Sequence, residues 1–123
     1  MLHDPRHDLP EWKRILLRAH EIIEDRGWCQ LTLQADDGRV CLQGAVMLAS
    51  GVELLRGPTG LITPASREAC MASAMNAIRM LEQRLTSGEV WEWNDEPGRT
   101  ADEVLRLIRD TVAEAAVQAE LVA

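Results

Sequence analysis

Apolar positions recur every three or four residues from Trp12 through Ile15, Leu16, Ala19, Ile22 and Ile23, a single stripe that predicts an amphipathic first helix. Ahead of it, Asp8-Leu9-Pro10-Glu11 has the layout of an acidic N-cap, a first-turn proline and a capping box, and Gly27 supplies a stop. The opposite face, with Lys13, Arg14, Arg18, Glu21, Glu24 and Asp25, reads as solvated charge. The period then changes to two. Leu31, Leu33 and Ala35 alternate with Thr32 and Gln34, Asp36-Asp37-Gly38 is a turn, and Arg39-Val40-Cys41 returns, which predicts a small β-hairpin over 28–42 lying on helices. Leu42 to Ser50 is apolar on nearly every side, so it predicts a short central helix with Gly44 and Ala45 at close contacts and Gly51 at its end.

The next stretch is a loop around Gly57-Pro58-Thr59-Gly60, pinned to the core by Leu54, Leu55, Leu61 and Ile62. Thr63-Pro64 opens a third helix whose stripe is Met71, Met75, Ile78, Leu81 and Leu85, widened by Cys70, Ala74 and Ala77, with a stop near Ser87-Gly88. Val90 to Trp93 alternates again and predicts a short strand with Trp91 and Trp93 on one side. Asn94, Asp95 and Pro97-Gly98 turn the chain, with Asp95 placed to pair with Arg99. Thr100-Ala101-Asp102-Glu103 is a second capping box, opening a last helix with Val104, Leu105, Ile108, Val112, Ala115 and Ala119 inward and an Asp102–Arg106 pair outward. The sum is mainly α: a four-helix single domain over 1–123 with a small β-hairpin and one short extra strand, residues 1–8 forming a frayed tail.

Composition changes this picture in two places. The chain has four tryptophans and no Phe or Tyr, so Trp12, Trp28, Trp91 and Trp93 are its only aromatic plates. The net charge of −7 is concentrated in the last quarter: residues 89–123 hold 9 acidic and 3 basic side chains. Such a surface repels phosphate backbones and anionic lipid, which argues against direct nucleic-acid or membrane binding and suits a basic protein partner. The plainer reading is that these acids favour a helix start and keep a small protein soluble. No run of apolar residues is long enough to span a bilayer, the N-terminus lacks the layout of a signal peptide, and three unpaired cysteines suit a reducing cytoplasm.

Candidate chemistry is thin. Cys29, Cys41 and Cys70 lack metal-ligand spacing, and His3 and His7 flank Pro5 in the tail, so neither a metal nor another cofactor is expected. Cys41 lies where the short apolar helix begins, a position at which the helix dipole lowers a thiol pKa, and Asn94, Asp95 and Arg99 could be brought beside it. A base is missing, since His20 on the first helix would have to face Cys41 across the core. The competing reading makes Cys41 a buried structural cysteine and Asn94-Asp95 with Arg99-Thr100 a loop tied by its own side chains.

Three stretches nevertheless form a recognisable set: Arg26-Gly27-Trp28-Cys29-Gln30, Gly38-Arg39-Val40-Cys41-Leu42 running into Gly44-Ala45, and Trp93-Asn94-Asp95-Glu96-Pro97-Gly98-Arg99-Thr100-Ala101-Asp102-Glu103-Val104-Leu105. With these the chain resembles a family of small uncharacterised proteins, a domain of unknown function from actinobacteria, other high-GC bacteria and their phages. The resemblance implies a shared fold and no established activity. Two functional expectations follow. The first is a small acidic cytoplasmic binding protein, a phage or mobile-element accessory or inhibitor, docking on a basic host protein through Glu89, Trp91, Glu92, Trp93, Asp95 and Glu96. The second is a small cysteine-dependent hydrolase or transferase using Cys41 with Asn94, Asp95 and Arg99. Homodimerisation is left open, with the methionine stripe as the place for it.

Overall fold

The computed structural model describes residues 8–54, 68–86 and 88–122, with side chains described as far as Ala113. Five helices follow one another: α1 (Glu11–Arg26), α2 (Leu42–Ala49), α3 (Glu68–Glu82), α4 (Val90–Asn94) and α5 (Ala101–Val122). Short α2 is the centre, packed on α1, α3 and α4, while α5 closes over α1 and α3. The reason is in its sequence: Leu42, Gly44, Ala45, Val46 and Met47 are all buried, so this helix has little polar face to show to water. Gly44 is required there, because a Cβ at this position would stand 2.1 Å from the backbone oxygen of Leu33.

The first helix buries Ile15, Leu16, Ala19, Ile22 and Ile23, with Trp12 half-buried at its start. Its beginning differs from expectation: the cap falls on Pro10, whose carbonyl takes the N–H groups of Lys13 and Arg14 at 3.0 and 3.2 Å, rather than on Asp8. Lys13 also differs, being buried on the flank of the stripe with its ammonium 5.6 Å from the Trp12 ring centroid. A lysine stem long enough to lie along apolar surface makes this placement tolerable. In α3 the buried arc is Ala74, Ala77, Ile78 and Leu81; Met75 falls outside it and is 43% exposed. That helix ends at Glu82, before the expected stop. In α5, Val104, Ile108 and Thr111 are buried, and the expected Thr100–Glu103 box forms in both directions. The ion pair at this helix start is Arg99–Glu103 at 3.0 Å, rather than Asp102–Arg106. His3, His7, Leu55, Leu61, Ile62, the Gly57–Gly60 loop, Thr63-Pro64, Ser87 and the side chains of Ala115 and Ala119 lie outside the described residues.

Two β expectations are changed. Between α1 and α2 the predicted turn is present, with Gly38 N–H donating to Ala35 O at 2.9 Å and Ala35 N–H to Arg39 O at 2.8 Å. Only isolated bridges surround it, Gln34 with Val40 antiparallel and Trp28 with Val40 parallel, and no strand is formed there among the described residues. The alternation does not select a face either. Leu31 is 80% exposed with φ +71°, whereas Gln34 is buried, accepting from Arg26 at 3.0 Å. The second change is Val90–Trp93, which is helical rather than extended. Four alternating residues carry too little periodicity to separate a strand from one helical turn.

Candidate functional site

Helix α4 is five residues long, too short to persist without tertiary support. Its start is held by Val90 N–H donating to the Glu82 carboxylate at 2.9 Å, and by Glu89 N–H donating to Glu92 at 3.3 Å. Its end is held by Asn94, a fully buried polar residue whose side chain uses every group it has. Asn94 Oδ1 accepts from Trp28 Nε1 at 2.6 Å and from Leu42 N–H at 3.0 Å. Its Nδ2 donates to Cys29 O at 3.3 Å and to Asp95 Oδ1 at 3.0 Å. Gln30 completes the clasp, its Nε2 reaching Asn94 O at 3.1 Å and Glu96 O at 3.0 Å. The three stretches that carry the resemblance therefore meet at one carboxamide.

Helical geometry separates the two tryptophans expected to share a side. Trp93 packs on the core, with the Arg99 guanidinium 4.0 Å from its ring centroid, and Arg99 Nε donates to Trp93 O at 2.9 Å. Trp91 is 48% exposed. Asp95 does not pair with Arg99, which is committed to Glu103; its Oδ1 accepts instead from Leu31 N–H at 2.9 Å. Glu103 consequently has its carboxyl held below the ordinary value of 4.5, first by the Arg99 hydrogen bond and then by Thr100. Glu89, Glu92 and Glu96 are exposed, and no ion pair among the described residues involves them or Asp95.

Cys41 is brought near Asn94, since it immediately precedes Leu42, and it caps α2 by accepting Gly44 N–H on Sγ at 3.2 Å. The helix-start donor favours a thiolate, but burial outweighs it and pushes the thiol up to about 12. Cys29 is also raised by burial, with Sγ directed to the carbonyls of Arg39 and Thr32. Neither ring nitrogen of His20 is free to act as a base at Cys41: Nδ1 is 2.9 Å from Glu24 and Nε2 is 3.3 Å from Arg109. The thiol reading thus has its residues assembled in part and its chemistry opposed. Among the described residues, no group of three or more His, Cys, Asp or Glu is placed to hold a metal ion, and no helix is long and apolar enough to cross a membrane.

A family model described as a family of unknown function, DUF6197, matches residues 8–114. The chain belongs to DUF6197. No curated protein and no solved structure matches it. The span matched to DUF6197 contains the whole Asn94 clasp and the exposed acids of α4. Sequence reasoning missed Gln30 and Leu31 as parts of this region and gave Trp28 no partner. The signal for Trp28 and Gln30 was their presence in the first of the three resembling stretches; for Leu31 the sequence holds none.

Proposed function

We propose that this DUF6197 chain is a small acidic binding protein that docks on a basic protein surface through α4 and the turn after it. The observation that carries the reading is the mounting of α4 by Asn94, with Trp91 half-exposed beside the exposed carboxylates of Glu89, Glu92 and Glu96, none of which forms an ion pair among the described residues. A carboxylate held in an ion pair has less charge to offer a partner; these three keep theirs, although Glu89 accepts the Trp91 indole N–H at 2.5 Å and Glu92 the Glu89 N–H at 3.3 Å. Tryptophan is enriched among interface anchors, and the acidic charge around it steers a basic partner toward it. An inhibitor that covers the nucleic-acid-binding surface of a cytoplasmic host protein is one form such a protein takes, in keeping with the phage-associated resemblance. Co-purification at moderate salt tests the reading with Glu89→Lys, Glu92→Lys and Glu96→Lys combined, against Asp36→Lys with Asp37→Lys as a control. Loss of a co-purifying protein in the first variant alone supports it; unchanged capture in the first variant overturns it.

A further inference from the structure

A shallow groove of about 240 Å³ lies between the loop after α1, the start of α2 and α4, walled by Leu31, Leu33, Gln43, Trp91 and Asp95. It is smaller than the roughly 300–1,000 Å³ of ordinary small-molecule sites, and it is the size of one long side chain. No basic residue lines it. Both side-chain hydrogen bonds of Asp95 fall on Oδ1, so Oδ2 carries none among the described residues. Trp91 and Asp95 are four residues apart, with Asp95 N–H donating to Trp91 O at 3.0 Å, so an indole and a carboxylate stand together on the groove.

The same pair of walls occurs a few residues later with its cation in place. Arg99 lies over Trp93 at 4.0 Å and pairs with Glu103 at 3.0 Å. A planar guanidinium stacks on an indole while its edge N–H groups meet a carboxylate, which an ammonium does less well. We propose that the groove receives an arginine side chain of the basic partner, stacked on Trp91, paired with Asp95, and flanked by Leu31. The inference rests on the docking reading of α4 and gives its partner a residue type.

The test is a chemical-shift titration of the whole chain with acetyl-Gly-Arg-Gly-amide, beside the same peptide carrying citrulline, which has the shape of arginine without its charge, or lysine. The arginine peptide is expected to shift the Trp91 indole N–H and the Leu31 methyls, and the other two to bind more weakly. Trp91→Ala is expected to weaken arginine binding about three- to fivefold. Asp95→Asn keeps an acceptor for Leu31 N–H while removing the charge, and is expected to weaken it as well. Equal response to citrulline, equal response to lysine, or no effect of Asp95→Asn overturns the inference. Glu92 and Glu96 neither line the groove nor bond to Trp91, whereas Glu89 accepts the Trp91 indole N–H at 2.5 Å, so the two readings are separated by reversing Glu92 and Glu96 with Glu89 kept. Capture lost on their reversal with no arginine response in the groove removes this inference alone; capture kept on their reversal removes the docking reading.

Discussion

Trp28 and Asn94 stand 66 residues apart and share a 2.6 Å hydrogen bond, indole N–H to carboxamide oxygen. Removing Asn94 leaves the Trp28 indole N–H, the Leu42 N–H and the Cys29 carbonyl in the interior with no partner from this side chain. Each buried polar group left unpaired costs about 1–3 kcal/mol. Asn94→Ala is therefore expected to lower stability by about 3–5 kcal/mol in urea unfolding, with the Trp28 indole proton losing its protection from exchange. A loss under about 1 kcal/mol would mean that water replaces the carboxamide and that α4 is not held by it.

Gly44 and Gly98 separate two reasons for glycine. At Gly44 an added Cβ meets backbone at 2.1 Å, which neither α2 nor the Leu33 segment can yield cheaply. At Gly98 nothing lies within 4 Å, and only its φ of +86° resists a side chain. Gly44→Ala is expected to cost about 3 kcal/mol or prevent folding, as overpacking against backbone does, whereas Gly98→Ala costs about 1–2 kcal/mol. Thermal unfolding of the two variants side by side gives the order.

How much of this was legible follows from what is local. The stripe of α1, the all-apolar run of α2 and the Thr100–Glu103 box depend on residues within one helix, and each stands in the structure. Helix α4 does not. Its two-residue alternation misled, and the facts that make it a helix are Glu82 reaching Val90, and Asn94 reaching α2 and Trp28. One local signal was available, the Glu89-x-x-Glu92 spacing that lets Glu92 accept the N–H of Glu89. Lys13 and Gln34 were misplaced for a related reason: a long or amide side chain goes where tertiary partners receive it, and periodicity cannot name them.

Glu103 gives a pH prediction at the start of α5. Its folded pKa lies below 4.5, so the stabilisation it brings is present above its unfolded value and is lost as pH falls through the folded one. Amide exchange at the first turn of α5 is expected to quicken on acidification through that window. Glu103→Gln should remove the acid dependence at that turn while leaving that of Asp37, whose carboxyl is lowered first by the Arg39 N–H, unchanged.

Cys41 gives the opposite sign. A thiol raised from 9.0 to about 12 is neutral in the folded state, so it favours folding below about pH 9 and that contribution is lost as pH rises toward 12. At neutral pH it is a protected thiol. Labelling with a thiol reagent is expected at Cys70 first, which is half-buried, and at Cys29 and Cys41 only with unfolding. Mass mapping of the modified residue decides; Cys41 reacting faster than an unfolded thiol would revive the enzymatic reading.

Leu31 tests whether strain is kept for a purpose. A leucine at φ +71° carries about 1–2 kcal/mol of backbone cost, and at 80% exposure its side chain recovers little of this by burial. Asparagine tolerates the same conformation far better, so Leu31→Asn is expected to raise stability by about 0.5–1 kcal/mol in urea unfolding. The Asp95 carboxylate still receives the residue 31 N–H, so the loop keeps its place. The same variant is expected to weaken partner capture, because it strips an apolar wall from the groove beside Trp91. The two measurements together separate the causes. Stability gained with capture lost identifies a leucine held out at a cost to the fold, which is how anchors are presented to partners. Stability lost instead would place Leu31 in packing that an 80% exposed side chain does not have, and the strain argument would fall with it.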